Sequence, residues 1–142
     1  MNNKKLSQLV RNTLNLDKNQ SDAREPRMES YKSSGSIQIR GYPNIYLAEN
    51  QKEMHITLEN PESNPCYIQF TIRLANSVTG KKGEILYESG DVLPGKFINS
   101  QTLKHGFSKG KYSLVIENHT KSLDENHIKM NSMDVYTNLM VE

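Results

Sequence analysis

From Ile37 onward, apolar and polar residues alternate with a period of two. Ile37 and Ile39 begin the pattern, Gly41-Tyr42-Pro43 breaks it, and Ile45 and Leu47 resume it. Met54, Ile56 and Leu58 alternate with His55 and Thr57, and Ile68, Phe70, Ile72 and Leu74 alternate with Gln69, Thr71 and Arg73. A short run follows at Ile85 and Tyr87, and another begins at Phe97 and ends near Leu103. Tyr112, Leu114 and Ile116 then alternate with Ser113, Val115 and Glu117, and Met133, Val135, Thr137, Leu139 and Val141 close the chain. Successive side chains of a strand point to opposite faces, so each run has one face to bury. Turn signals separate the runs: Asn60-Pro61, Asn64-Pro65, Thr79-Gly80-Lys81-Lys82-Gly83, Pro94-Gly95 and Lys109-Gly110-Lys111. About seven short strands spaced this way predict an all-β protein, an antiparallel β-sandwich. No helical periodicity, βαβ pattern or tandem repeat is read after residue 16.

The leading residues follow another rule. Leu6, Leu9, Val10, Leu14 and Leu16 recur mostly every three or four positions, with Lys4, Lys5 and Arg11 toward the polar side. That spacing predicts either a short amphipathic helix over residues 4–16 or an unstructured arm. A helix this short is marginal alone in water and needs a surface to lie on. Residues 17–36 are polar and read as a linker. The expected organisation is a basic N-terminal arm, residues 1–34, followed by a sandwich domain, residues 35–142.

Composition sharpens this division. A hydrophobic share of 35% lies below the usual ~45–50% of globular chains, so part of the chain does not form core. The net charge is +2, yet residues 1–32 carry seven basic groups against four acidic ones. The excess positive charge therefore sits on the arm and leaves the remainder near neutral. A neutral domain lacks the clustered basic face of a duplex binder, so nucleic acid is expected, if anywhere, on the arm. Cys66 is the one cysteine. It cannot form an internal disulfide, and beside Tyr67 and Ile68 it reads as a small buried hydrophobe. No stretch approaches the ~20 apolar residues of a membrane span. Lys4-Lys5 is followed by no apolar segment, so no secretory signal is read as written: either the protein stays in the cytoplasm or an export segment is missing from this chain.

Several of these residues also resemble a family. The motifs are Ile39-Arg40-Gly41-Tyr42-Pro43, then Asn60-Pro61 through Asn64-Pro65-Cys66-Tyr67, Leu86-Tyr87-Glu88-Ser89, Leu93-Pro94-Gly95, Lys109-Gly110-Lys111-Tyr112 and Met130-Asn131-Ser132-Met133-Asp134-Val135. In this order, over about residues 37–142, they resemble small immunoglobulin-like β-sandwich domains of low-GC Gram-positive bacteria and their mobile elements. The resemblance implies a fold of about seven strands and brings no catalytic residue. Its members look exported or membrane-anchored, which implies an extracytoplasmic location, whereas the N-terminal segment here is polar. Read physically, Leu93-Pro94-Gly95 is a tight turn in which Pro fixes φ and Gly accepts a positive φ. Tyr112 sits where the corner tyrosine of many sandwiches ties down a loop.

The search for chemistry is mostly negative. His55, His105, His119 and His127 are scattered, and none pairs with another in a zinc-ligand spacing. They are expected to be solvated, with His55 and His119 facing outward from strands. No Gly-x-Ser-x-Gly occurs, and no spacing ties a serine to a histidine and an acid. Glu84, Glu88 and Asp91 read as a solvated loop rather than a glycosidase pair, and Asp124-Glu125-Asn126 lacks the calcium-loop pattern. No catalytic, cofactor-binding or metal residue is assigned. The expected function is a non-catalytic protein-binding or scaffold module. Its alternative is a small phage- or plasmid-encoded inhibitor of a host nucleic-acid enzyme, and an enzyme ranks last. The candidate partner-binding residues are Leu6, Leu9, Val10 and Arg11 on the arm, Tyr42 in the first turn, and Lys81 and Lys82 at the basic tip of the 75–84 loop.

Overall fold

The structure is a computed structural model that describes residues 14–22 and 37–142. The alternating runs become strands: β1 (Ser21–Asp22), β2 (Ile45–Leu47), β3 (Glu53–Met54), β4 (Leu58–Asn60), β5 (Cys66–Ala75), β6 (Lys82–Val92), β7 (Lys96–Ile98), β8 (Gln101–Thr102), β9 (Gly110–Ser122) and β10 (Lys129–Val141). No helix occurs among the described residues, and so none there is long and apolar enough to cross a membrane. The protein is all-β. A five-stranded sheet runs β2-β10-β9-β5-β6, a three-stranded sheet β1-β7-β4, and a two-stranded sheet β3-β8. All pairings are antiparallel except β2 with β10, the first and last strands of the large sheet, which run parallel.

The core draws from every sheet except through β1. Phe70, Ile72, Leu86, Leu114, Ile116 and Leu139 of the large sheet cluster with Met54, Leu58 and Ile98 of the small ones. Most are the period-2 positions of the sequence, but in β6 and β7 the phase is opposite to the expected one: Leu86 and Ile98 are buried, while Ile85 is exposed and Phe97 only partly covered. Val115 and Glu117, on the opposite face of β9, are buried too, because long charged side chains of β5 and β6 lie across that face.

Among the described residues strands number ten rather than about seven, because two runs are interrupted and residues 21–22 add β1. Residues 53–60 pair with residues 96–102, but the register slips between Met54↔Gln101 and Leu58↔Ile98. At the gap a side chain replaces the ladder. The Ile56 amide donates to Gln101 Oε1 (3.1 Å), and Gln101 Nε2 donates to the Ile56 carbonyl (2.8 Å). Gln101 is 1% exposed, a polar burial that its two hydrogen bonds offset. A second irregularity lies on β5–β6, between Gln69 and Thr71. There the Phe70 amide donates to Ser89 Oγ, and that hydroxyl donates to the Gly90 carbonyl. The serine thus closes the β-bulge.

A pair of buried asparagines ties the sheets together. Asn60 Nδ2, at the end of β4, donates to the carbonyls of Cys66 and Val92, the first residue of β5 and the last of β6 (both 2.9 Å). Its Oδ1 accepts from Asn64 Nδ2, which also donates to the Gln38 carbonyl, while the Gln38 amide donates to Asn64 Oδ1. The Asn60 carbonyl takes the Gly95 amide (2.7 Å). The Asn-Pro and Leu-Pro-Gly motifs therefore form one joint. Gly95 has φ +83° and Lys96 N donates to Leu93 O, which is the turn read from Pro94-Gly95. Tyr112 Oη donates to the Ser108 carbonyl at 2.8 Å, as expected of a corner tyrosine. Cys66 is fully buried, and burial pushes its thiol up to about 11.

The N-terminal expectations change more. Residues 1–13 and 23–36, with Leu6, Leu9, Val10 and Arg11, lie outside the described residues. A helix running to residue 16 is not found: residues 14–16 are extended, and Leu16 forms a parallel bridge with Asp91 of β6. Residues 17–22 are not linker either, since Ser21 and Asp22 pair with Phe97 and Lys96 as β1. Polarity misled here because main-chain hydrogen bonds, not apolar burial, hold the segment. Ile37 and Ile39 pack on the core without forming a strand.

The asparagine joint makes a measurable claim. Asn60→Ala removes the side-chain donor of two buried carbonyls and one of the two acceptors of Asn64 Nδ2, and the expected loss is about 3 kcal/mol, read by urea denaturation. A loss under ~0.5 kcal/mol would show that the joint is not needed.

Candidate functional site

The N-terminal segment crosses between sheets twice. Residues 14–22 pass from β6 to β7 on one side. On the other, residues 37–40 run beside β4 and residues 45–47 join β10 as β2. The break between these last two pieces is Gly41-Tyr42-Pro43-Asn44. It is held by β10: Thr137 Oγ1 donates toward the Tyr42 and Pro43 carbonyls, and Asn138 Nδ2 donates to Asn44 Oδ1. Because the chain changes sheets at this break, it leaves a groove of about 720 Å³ between β2 and the β3–β4 edge. Ile45, Leu47 and Met54 give it apolar walls, and Arg40, Tyr42 and Glu59 line the polar end. Arg40 Nη2 lies 3.4 Å from Glu59 Oε1.

β3 and β4 each pair on one side only, with β8 and β7. The other side of β4 takes residues 37–40, while residues 54–57, from β3 into the gap before β4, line this groove. Tyr42, named from the sequence as a partner-binding residue, lies here. Its hydroxyl is buried and has no hydrogen-bond partner among the described residues. Burial pushes its ionisation far above the usual phenol range; nearby Arg40 pulls it down and Glu59 pushes it up by smaller amounts. The phenol is therefore a neutral donor lacking an acceptor. The exposed Tyr46 ring, 62% accessible, stands on β2 at the same groove.

Lys81 and Lys82, expected together at a basic loop tip, separate. Lys81 is exposed. Lys82 begins β6 and turns onto the outer face of the large sheet, where Nζ reaches Glu117 Oε2 (2.7 Å) and Asp134 Oδ2 (2.8 Å). Its cationic form is favoured by both hydrogen bonds, first that to Asp134. The 75–84 loop is fixed internally: Asn76 Oδ1 accepts from the Val78 and Thr79 amides, and Tyr136 Oη donates to Gly80 O. The structure does not bring the lysines to Tyr42 as one site.

The same outer face joins a serine, a histidine and an acid, which no sequence spacing reveals because they come from adjacent strands. Ser132 Oγ lies 2.8 Å from His119 Nδ1, and His119 Nε2 lies 3.1 Å from Glu117 Oε1. His119 is thus half-buried and bonded, not solvated. A carboxylate that activates a histidine needs charge to spare. Here Glu117 also faces Lys82 and, at 3.7 Å, Arg73. Burial alone would raise the Glu117 pKa, but the hydrogen bonds from Lys82 and His119 outweigh it and hold the carboxyl below its ordinary range. Two cations neutralise this acid, so the chain of contacts works as cross-strand support.

His127 is half-buried rather than solvated, packed edge-on against the Tyr67 ring. His55 is exposed and lies between β3 and β4 rather than in a strand, and His105 bonds Glu84 (2.9 Å). No group of three or more metal-binding side chains occurs among the described residues. Asp91, expected in a solvated loop, is instead in β6 and 1% exposed, with Lys121 Nζ at 2.9 Å. No family model, curated protein or solved structure matches the chain.

Lys82→Met tests the outer-face network. With Glu117 depressed, the stabilisation exists above the ordinary carboxylate range and is lost as pH falls through the folded-state value. The expected cost is about 1–2 kcal/mol at neutral pH, discounted for the partial exposure of Lys82. It should fade as acid protonates Glu117, as measured by urea titration at neutral pH and below the folded-state value of that carboxyl. An equal cost at both would show that charge is not involved.

Proposed function

We propose that the chain is a non-catalytic protein-binding module, built as an immunoglobulin-like β-sandwich, whose groove beside Tyr42 takes an extended segment of its partner. The sandwich reading is supported by the strand order of the large sheet, by the parallel β2–β10 pair and by the Tyr112 corner.

One observation carries the functional reading. A one-sided strand edge, an apolar groove and a buried phenol donor without an acceptor meet at one place. An extended peptide supplies main-chain groups for the edge and side chains for the groove, where the Tyr42 ring forms part of the wall. Aromatic side chains with a polar tip are favoured in such contacts because they cover much area at low entropic cost. Catalysis draws no comparable support, since the Ser132–His119–Glu117 chain spends its carboxylate on Lys82 and Arg73.

Selection of extended peptides from a random library against the full chain tests this. Binders are expected to slow amide exchange over residues 53–59. Tyr42→Ala, which removes the ring from the groove wall, should weaken them at least tenfold. Binders that protect another surface, or that ignore Tyr42→Ala, would overturn the reading.

A further inference from the structure

Three stretches follow one another along the outer face of the large sheet. At the Asp91 end, residues 14–22 lie against β6 so closely that a Cβ on Gly90 would come within 2.7 Å of the Asn15 carbonyl oxygen. In the middle, Lys82 and Arg73 neutralise Glu117. In the third stretch Ala75, Ser113 and Asn138 stand side by side on β5, β9 and β10. Here the face is open, and with the loop that follows β5 it forms a depression of about 510 Å³.

Its walls are fixed before any ligand arrives. The Asn76 amide donates to the Lys81 carbonyl and the Gly80 amide to the Asn76 carbonyl (both 2.8 Å). Asn76 Oδ1 takes the Val78 and Thr79 amides. Tyr136 Oη donates to the Gly80 carbonyl (3.1 Å), and a Cβ on Gly80 would touch the same phenol at 3.8 Å. The ring is thus pinned at its tip, yet Tyr136 remains 50% exposed. What it offers a ligand is a flat apolar face, not its hydroxyl.

Around the ring stand Asn76, Ser77, Thr79, Ser113 and Asn138, and no charged side chain lines the depression. Three others on this molecule do carry charge: Arg40 and Glu59 in the Tyr42 groove, Arg73 and Glu117 in the middle of the outer face, and Asp91 and Lys121 beside residues 14–22. Ser77 Oγ, Ser113 Oγ, Asn76 Nδ2 and Asn138 Oδ1 make no hydrogen bond among the described residues. Donors and acceptors are therefore both open, and they can exchange water for ligand hydroxyls at small net cost. Because β9 and β10 are paired on both sides, this face presents no strand edge to an extended peptide. The matching ligand is uncharged, rich in hydroxyls, and has a face of C–H groups to lay on the ring, whose π-surface is electron-rich. Sugars combine all three.

A second ring continues the surface. Ile45 and Leu47 are buried, so strand alternation turns Tyr46 outward at the rim of the Tyr42 groove. Tyr46 pairs with Met140, four residues beyond Tyr136 and so about 13 Å along β10. Between the rings, Asn138 Nδ2 donates to Asn44 Oδ1 (3.2 Å). A single sugar ring is too short to cover both tyrosines. We propose that this outer face binds a neutral oligosaccharide, one sugar laid on Tyr136 in the depression and the chain running toward Tyr46. The site does not include Tyr42, so this reading and the peptide groove can fail separately.

The test titrates the full isotope-labelled chain with cellopentaose, maltopentaose, xylopentaose, mannopentaose and chitopentaose, and follows the amide resonances. At least one is expected to shift residues 76–80, Ser113, Tyr136 and Asn138 together, and to bind several-fold more tightly than the matching disaccharide. Tyr136→Ala should weaken it at least tenfold. Ser113→Ala, which leaves the ring and the loop in place, should weaken it several-fold. Tyr42→Ala should leave sugar binding unchanged, and the same spectra report whether each variant is folded. No shift with any of the five sugars would overturn the proposal, as would shifts confined to another surface or binding indifferent to Tyr136→Ala. A disaccharide that binds as tightly as the pentasaccharide would overturn the part assigned to Tyr46.

Discussion

A sheet that does not close on itself ends in strands whose outward amides and carbonyls lack a partner, and most of this fold can be understood as the handling of those edges. The large sheet ends at β2 and β6, and the small sheets at β1, β4, β3 and β8. Along β6 the chain lays its own residues 14–22, whose carbonyls and side chains satisfy the Gly90, Asp91 and Leu93 amides. Along β4 it lays residues 37–40, fastened by Asn64 and by the Arg40–Glu59 contact. It then crosses to β10 before covering β3. That early crossing is what leaves the groove beside Tyr42.

Where ladders break, side chains take over. Gln101 bridges the gap between β3 and β4, Ser89 closes the bulge opposite Phe70, and Asn60 joins β4 to β5 and β6. Each is buried, and each has a main-chain partner, which is the condition under which a polar group can lie inside without a large penalty. The same economy governs the outer face. Glu117 is buried among Lys82, Arg73 and His119, an arrangement that holds β5, β6, β9 and β10 together and dampens the reactivity that a serine–histidine–acid chain would otherwise suggest.

Much of the fold was legible because burial and alternation share one cause. The runs at 54–58, 68–74, 112–116 and 133–141 became β3–β4, β5, β9 and β10 with the expected residues inward. The Pro94-Gly95 turn and the Tyr112 corner were legible through backbone chemistry. The docking of 14–22 was not, because polar residues held by main-chain bonds leave no periodic trace. Gly90 was the one available signal, since a glycine inside a strand marks close backbone approach. Glu117, His119 and Ser132 were hidden for a different reason: strands β9 and β10 bring together positions that no local spacing relates. Of the named partner-binding residues, Tyr42 fell in the groove, Lys82 became part of a charge network, and Lys81 stayed exposed.

The central claim is that the edge of β6 is filled from within, by the chain's own residues 14–22. Hydrogen–deuterium exchange of the full chain, resolved by residue, addresses it most directly. The account predicts that the Gly90, Asp91 and Leu93 amides exchange slowly in the parent chain and become fast in Gly90→Val, while amides at the centre of β9 keep their protection. Fast exchange at those three amides in the parent chain would contradict it, because the edge would then be bare and the segment undocked.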